Sequence, residues 1–283
     1  MTPQAVASWF RDAATRSILV DGASVVYREV GRPDGVPLVA LNHLGANLDN
    51  WDPRTIDGLA IDRRVILLGY RGVGGSGGPV RTSIEEMARD AIAATRALGI
   101  DRFDLFGLSM GGMVVQEIVA QQPEIVDRLI LASSGSAGGP GLADMTRVMI
   151  LGTARAFLGF TDPKVRLFFT RTANGRNAAR EYLARLRERT SDRDAAVTPG
   201  VLRAQLRAVH RWGLRPPAGR SPFGGSVLLL HGDSDRMVPV ANTSSLARVF
   251  PAAKIRVFPD AGHGVVFQNH HDVVIAVRAF LRR

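Results

Sequence analysis

One ten-residue stretch, FDLFGLSMGG at residues 103–112, constrains the fold of this chain more than any other. It reads as a short apolar strand, then Ser109 between glycines, then the start of a helix. A strand that turns into a helix over so few residues strains the backbone at the serine, and side chains two positions to either side would collide with it. Gly107 and Gly111 lack those side chains, and the helix that begins at Met110 directs its free N–H groups and positive dipole end towards the serine. This G-x-S-x-G pattern, in a strand-turn-helix setting, predicts that Ser109 is a nucleophile at the edge of a sheet.

Apolar runs that alternate with helical patterns predict an α/β fold with a mostly parallel central sheet. Continuous apolar runs are typical of strands that are buried on both faces of such a sheet. They occur at 36–41, 65–68, 103–108, 129–132 and 227–230, and a further strand is predicted at 254–258. After a short amphipathic segment at 5–15, the runs 17–20 and 24–30 flank the turn Asp21-Gly22 and predict an antiparallel hairpin. Ser83 and Glu86 form a capping pattern that predicts a helix over 84–98.

The alternation stops after Ala132 and resumes at Val227. Between them the pattern is helical from Leu142 to about Arg215, and the flanking links 133–141 and 216–225 are rich in Ser, Gly and Pro. The sequence therefore predicts a helical cap, residues 136–222, inserted into a core formed by residues 1–135 and 223–283.

Composition limits the chemistry and the partners. The 283 residues include no cysteine, which excludes disulfides, thiolate catalysis and Cys-ligated metals. The net charge of +10 is concentrated in the cap, which contains 16 Lys and Arg residues but only 6 Asp and Glu residues. Two readings remain open: the arginines solvate an outer helix face, or some face a pocket mouth and favour anionic substrates. Without clustered aromatic platforms the pattern disfavours nucleic acid, and without a spanning segment or signal peptide we expect a cytoplasmic protein with no membrane partner.

A serine hydroxyl needs a base, and the base needs a group that fixes its tautomer. The segment LHGDSDRMVP places Asp233 and Asp235 just beyond one predicted strand, and DAGHG places His263 just beyond the next. In a parallel sheet both loops lie at the edge that carries Ser109. A serine, an aspartate and a histidine are thus predicted to meet there.

These motifs, together with NLDNWDP at 47–53 and RGVG at 71–74, resemble those of the α/β-hydrolase fold superfamily. Within it the chain is similar to the enol-lactonase and cofactor-free haloperoxidase-like group. The resemblance implies that Asp235 is the triad acid, that Asp233 serves its loop, and that the backbone N–H groups of Met110 and Leu44 form the oxyanion hole. It implies no cofactor and no metal.

Two positions depart from the family pattern. The family usually has His-Gly where this chain has His43-Leu44-Gly45, which leaves the identity of the second oxyanion donor open. Gly69 stands where relatives commonly carry an aspartate, which leaves the anchoring of the 69–78 loop open.

The expected reaction is hydrolysis of a carboxylic ester or a lactone through an acyl-enzyme on Ser109. Perhydrolysis of the haloperoxidase type and carbon–carbon bond hydrolysis use the same triad and remain alternatives. A third alternative is a receptor for a small ligand without catalysis. The oligomeric state is not predicted.

The other histidines and the aromatic residues have structural interpretations. We expect His43 and His231 to support loops, His210 to lie on a helix surface and the pair 270–271 to open the last helix. Aromatic side chains that are expected to lie mainly in the core are Trp51, Phe157, Phe168, Phe169 and Trp212.

Overall fold

The computed structural model of the protein describes residues 9–282 and contains one eight-stranded sheet. The strand order is β1-β2-β4-β3-β5-β6-β7-β8. The strands are β1 (Arg16–Val20), β2 (Ala23–Gly31), β3 (Leu38–Leu41), β4 (Arg64–Leu68), β5 (Phe103–Leu108), β6 (Val126–Ala132), β7 (Ser226–Gly232) and β8 (Lys254–Phe258). Strand β2 pairs antiparallel with both β1 and β4, and the other strands run parallel. The predicted mostly parallel sheet with an N-terminal hairpin is confirmed.

Within the described part of the chain, ten α-helices connect and cover the strands. They are α1 (Pro53–Ala60), α2 (Ile84–Ala97), α3 (Met110–Gln121), α4 (Met145–Leu158), α5 (Pro163–Phe168), α6 (Ala173–Arg185), α7 (Pro199–Gly213), α8 (Asn242–Val249), α9 (Val265–Gln268) and α10 (His270–Leu281). The helix predicted at 84–98 starts after Ser83, whose Oγ accepts the N–H of Glu86 at 3.3 Å. The sequence did not predict the single turn α9. Residues 5–8 of the amphipathic segment lie outside the described residues.

The core lies around the central strands. Every residue of β3 and β5 is buried, which agrees with the continuous apolar runs that predicted them. Helix α1 packs against α10, and α2 packs against α3. Because β5, β7 and β8 run in the same direction, their carboxyl ends lie at one edge of the sheet, and the loops that follow them meet there.

Helices α4 to α7 are inserted between β6 and β7, as expected for a helical cap. The prediction of a helical pattern from 142 to about 215 is wrong at residues 186–198, which are irregular. Two local causes are visible: Asp192 has a φ of 48°, and the Thr198 side chain caps α7 by accepting the N–H of Val201. The polar side chains of this segment bond to loops of the core instead of continuing a helical face.

One sequence prediction about an individual side chain needs correction. Phe157 was expected in the core, but it is 68% exposed because it lies on the outer side of α4. The other four aromatic residues of that group are buried. None of the helices within residues 9–282 is long and apolar enough to cross a membrane.

Candidate active site

Ser109 lies between β5 and α3 in a strained conformation, with φ 55° and ψ −115°. A positive φ is rare for a residue with a side chain, and it persists only where the surroundings enforce it. Here the N–H of Ser109 donates to the carbonyl of Ala132 at 2.9 Å, and its carbonyl accepts the N–H of Gly112 at 2.9 Å. The turn is thus held from both sides, by β6 and by the first turn of α3.

The two glycines around Ser109 are required by close backbone contacts. A Cβ on Gly107 would lie 2.5 Å from the carbonyl oxygen of Gly111, and a Cβ on Gly111 would lie 2.1 Å from that of Leu41. Both distances are far shorter than any van der Waals contact. The steric reason inferred from this pattern therefore applies, and it extends to the neighbouring strand β3.

The structure brings the three predicted site residues into one hydrogen-bonded chain. His263 Nε2 lies 2.9 Å from Ser109 Oγ, and His263 Nδ1 lies 2.8 Å from Asp235 Oδ2. Since the carboxylate accepts, Nδ1 carries the hydrogen and Nε2 is free to accept the serine proton. All three side chains are buried. Asp235 follows β7 and His263 follows β8, so the sheet edge alone accounts for their approach.

The Asp235 carboxylate is surrounded by donors. Oδ1 accepts the N–H groups of Met237 and Val238, each at 2.9 Å, and Oδ2 lies 3.4 Å from His231 Nε2. Burial by itself would raise the pKa of Asp235, but the charge of His263 and the hydrogen bonds from both histidines outweigh it and hold that pKa well below its usual range. Asp235 is therefore ionised at neutral pH.

The alternative acid, Asp233, serves its loop. Its side chain accepts the hydroxyl of Ser234 at 2.8 Å and the N–H of Asp260 at 3.2 Å. These bonds tie the loop after β7 to the loop after β8. His231 is also structural, since its Nε2 donates to the carbonyl of Val238 at 2.8 Å and so shapes the turn that holds Asp235.

The two predicted oxyanion donors flank the serine. Met110 is the first residue of α3, so its N–H has no acceptor within the helix. Leu44 lies in the loop after β3, and within residues 9–282 its N–H donates to no acceptor. The loop is fixed on both sides of Leu44: His43 Nδ1 bonds the Leu44 carbonyl at 2.8 Å, and the Gly45 N–H donates to Gln205 Oε1 at 2.6 Å.

His43 is neutral and takes a supporting place in this loop. Burial lowers its pKa to about 3, against a smaller opposite effect of the bond to Leu44. The ring packs edge-on against Phe168, with centroids 4.9 Å apart. The prediction that His43 supports the loop agrees with these contacts.

A cavity of about 290 Å³ opens onto Ser109 and His263. Its wall combines the oxyanion loop with side chains of the inserted helices, and most of it is apolar. The lining residues are His43, Leu44, Gly45, Ser109, Met149, Thr153, Asp162, Pro163, Lys164, Leu167, Phe168, Leu202, Met237 and His263. The two charged members, Asp162 and Lys164, pair with each other at 3.5 Å. Lys164 is thus the cap cation that reaches the cavity, and its charge is paired with the Asp162 carboxylate.

The loop at 69–78 is anchored without the aspartate that relatives carry at position 69. The Gly69 N–H donates to Val26 at 2.9 Å, and Arg71 pairs with Asp90 at 3.2 Å. From the irregular cap segment, Asp194 accepts the N–H groups of Gly75 at 2.6 Å and Leu48 at 2.9 Å. The carboxylate that organises this loop is thus supplied from a remote part of the chain.

Sequence reasoning missed Gln205 and Asp194, which position the two loops beside the site. Gln205 is fully buried on α7 and lies three residues after Leu202, on a face that the pattern marked only as apolar. A lone glutamine within an apolar stripe was the one available signal. Among residues 9–282 no group of three or more His, Asp or Glu side chains is arranged to hold a metal ion.

Comparisons with known proteins agree with this architecture. An alpha/beta hydrolase fold protein from Chitinophaga pinensis superposes with a TM-score of 0.89 and 32% identity, over 96% of this chain and 98% of that one. A structure described as "Est816 as an N-Acyl homoserine lactone degrading enzyme" has a TM-score of 0.75 and 25% identity, over 94% of this chain and 100% of that one.

Relatives named "Putative carbamate hydrolase RutD" are also similar. The protein from Agrobacterium fabrum is 28% identical over 243 residues, which are 83% of this chain and 89% of the relative. The one from Rhizobium rhizogenes is 34% identical over 111 residues, which span 38% of this chain and only 42% of that relative. The profile of the alpha/beta hydrolase fold family matches residues 36–270. The chain belongs to the α/β-hydrolase fold family, and the resemblance inferred from its motifs is confirmed.

Proposed function

We propose that the protein is a serine hydrolase that cleaves a carboxylic ester or a lactone through an acyl-enzyme on Ser109. The observation that carries the proposal is the chain of bonds from Asp235 through His263 to Ser109 Oγ, which ends at a largely apolar cavity. The strained backbone at Ser109 supports it, since strain of this kind concentrates at functional sites.

In the first step His263 Nε2 takes the proton of Ser109 Oγ as the oxygen attacks the substrate carbonyl carbon. The imidazolium that forms is stabilised by the Asp235 carboxylate, which already holds Nδ1–H at 2.8 Å. Because four donors surround Asp235, it stays ionised and does not take this proton. The carboxylate therefore orients and stabilises the base.

The developing oxyanion is assigned to the N–H groups of Leu44 and Met110. Each donor of this kind typically contributes about 3 kcal/mol to stabilising the transition state. His263 then gives its proton to the leaving oxygen, which departs as an alcohol, or as the free end of an opened lactone. Water repeats the attack on the acyl-enzyme with His263 again as base, and the carboxylic acid is released.

We further propose that residues 136–222 act as a cap that shapes the cavity and limits the access of water. Met149, Leu167 and Leu202, all from this segment, supply apolar wall. At about 290 Å³ the cavity lies at the small end of ligand pockets, so it favours compact acyl groups. The pairing of Lys164 with Asp162 reduces any preference of the site for anionic substrates.

A panel of small candidate substrates tests this function by measuring which of them the protein hydrolyses. The panel contains nitrophenyl esters with two to eight acyl carbons, γ- and δ-lactones of similar size, and a phenyl carbamate, because some relatives bear a carbamate hydrolase name. We expect turnover of short esters or lactones by the wild type and none above background by Ser109→Ala. If the carbamate were the preferred substrate, the protein would be a carbamate hydrolase and not an esterase or lactonase. If panel members bound tightly without turnover, the protein would be a receptor for a small ligand and not an enzyme.

A further inference from the structure

Helix α4 carries an apolar surface that faces solvent. We call it the α4 stripe: Ile150, Leu151, Phe157 and Leu158 on the helix, with Phe160 just beyond its end. Their exposed fractions are 61, 41, 68, 83 and 99%. Of the twelve large apolar side chains that are exposed between residues 9 and 282, these five lie within eleven consecutive residues. Scattered exposed apolar residues need no explanation, but a concentrated cluster marks an interaction surface.

The spacing shows that the α4 stripe is one face of the helix. Positions 150, 151, 157 and 158 follow the i, i+1, i+7, i+8 pattern, which in most helices faces the core. In α4 the core side is already occupied by other residues: Met145 and Ala156 are buried, and Met149 and Thr153 line the active-site cavity. The helix is thus apolar on two sides, and no element within residues 9–282 covers these side chains on its outer side.

Cations surround the α4 stripe. Between residues 145 and 169 there are four basic residues, Arg147, Arg155, Lys164 and Arg166, and one acidic residue, Asp162. The three arginines are exposed. Arg166 also reaches the end of the stripe, since its Nη2 would lie 3.3 Å from a Cβ built on Gly159. The surface therefore combines apolar insertion groups with a local net charge of +3.

We infer that the α4 stripe docks onto the surface of an anionic lipid assembly. A helix with exposed Phe and Leu and flanking Arg lies in the plane of such an interface, with its apolar side chains at the acyl boundary and its cations at the phosphates. A second copy of this chain fits less well, because face-to-face pairing would bring two sets of like charges together. The expectation of no membrane partner rested on the absence of a spanning segment, which does not bear on a helix that lies on the surface.

The position of the α4 stripe gives the docking a consequence. The helix that carries it also contributes Met149 and Thr153 to the cavity above Ser109. Docking therefore brings the helix that forms one wall of the cavity to the lipid interface. If the proposed hydrolase function holds, the cavity then lies one helix away from esters that partition into that interface, whereas the docking itself does not require any catalytic activity.

Vesicle flotation of the full chain tests the inference directly. Vesicles of phosphatidylcholine with one quarter phosphatidylglycerol are compared with vesicles of phosphatidylcholine alone, at 50 and 300 mM NaCl. We expect binding to the anionic vesicles only, and weaker binding at high salt. The triple variant Arg147→Gln, Arg155→Gln, Arg166→Gln is expected to lose on the order of 100-fold in affinity, since each cation near such a surface contributes about a factor of five.

The apolar half of the surface has a matched control. The variant Phe157→Ser, Leu158→Ser, Phe160→Ser is expected to lose at least tenfold in vesicle affinity. The control Leu19→Ser, Ile61→Ser, Ile275→Ser removes side chains that are 70, 57 and 51% exposed elsewhere, and it should bind as the wild type does. Thermal unfolding midpoints close to that of the wild type show that each variant is folded.

Three outcomes would overturn the inference. They are no binding to anionic vesicles, equal loss in the matched control, and a concentration-dependent dimer that the α4 variant abolishes. The last would assign the stripe to a second copy of the chain. Since vesicle binding is measured without substrate, a failure of the docking is distinct from a failure of the proposed hydrolase function.

Discussion

The two walls of the cavity are built from different interactions. The wall that carries Ser109 is held by backbone hydrogen bonds and by glycines that touch neighbouring backbone, as at Gly111 and Leu41. The cap wall is fastened to the core by arginine–carboxylate pairs. Arg185 of α6 forms a buried pair with Asp52 at 2.6 Å. The Asp49 carboxylate forms ion pairs with the guanidinium groups of Arg28 of β2 at 2.7 Å and of the cap residue Arg193 at 3.2 Å.

This difference explains what the sequence could predict. The Ser109 wall follows from rules that act over a few residues, such as a strand, a strained turn, two glycines and a helix start. The cap attachment depends on pairs that are about 130 to 145 residues apart, which no local pattern marks. The arginines of the cap show this best. Of the two readings left open by the sequence, neither describes Arg185 and Arg189, which are buried against the core.

The largest effect should come from the acid on the Ser109 wall. We expect Asp235→Asn to lower kcat by roughly 10⁴-fold, because the amide no longer fixes the tautomer of His263 or stabilises its charge. The matched change Asp233→Asn alters only bonds to Ser234 and the 260–261 loop, so it should cost far less. Steady-state kinetics on the preferred ester measure both. If Asp233→Asn were the more damaging change, the assignment of the acid would be wrong.

The next effect concerns the cap attachment. Arg185→Met leaves the fully buried Asp52 carboxylate without its partner, and we expect a loss of about 3–5 kcal/mol in the free energy of unfolding. Arg54→Gln removes a pair with Glu188 in which the side chains are 50% and 31% exposed, and it should cost less than about 1 kcal/mol. Urea unfolding measures both variants.

A double variant sharpens this result. Asp52→Asn together with Arg185→Met removes both buried charges, so it should recover part of the stability lost in Arg185→Met alone. Equal stability of Arg185→Met and the wild type would contradict the view that buried ion pairs fasten the cap.

The smallest effect concerns the Asp57 carboxyl of α1, which accepts a hydrogen bond from a backbone group. Asp57 accepts the N–H of Phe10 at 2.7 Å, and burial raises its pKa to about 6. Because the pKa is higher in the folded than in the unfolded protein, ionisation favours unfolding, and stability falls as pH rises from about 4 to about 6. Asp57→Asn keeps the acceptor and removes the charge.

We therefore expect the midpoint of thermal unfolding of Asp57→Asn to exceed that of the wild type by a few degrees at pH 8, and the gap to close near pH 4. A gap that is constant with pH would show that the carboxyl titrates normally in the folded state.

The sequence predicted the three residues of the hydrogen-bonded chain but not the side chains that support the loops around them. Ser109, Asp235 and His263 follow strand ends, so topology alone brings their loops to one edge. Gln205 and Asp194 were missed because each bonds to a loop backbone more than a hundred residues away. A polar side chain that recognises a backbone N–H leaves no complementary residue in the sequence to indicate the contact. The irregular segment 186–198 was read as helix for the same reason, since its tertiary bonds override local propensity.

The central claim is that Ser109 is the nucleophile. Incubation with a fluorophosphonate, followed by intact mass and peptide mapping, tests it most directly, because the reagent reacts with a serine only where a base activates it. We predict one phosphonyl group per chain, on the peptide that contains Ser109, and no labelling of Ser109→Ala, whose fold should be unchanged. Labelling at another residue, or an unlabelled wild type that still turns over its substrate, would contradict the account.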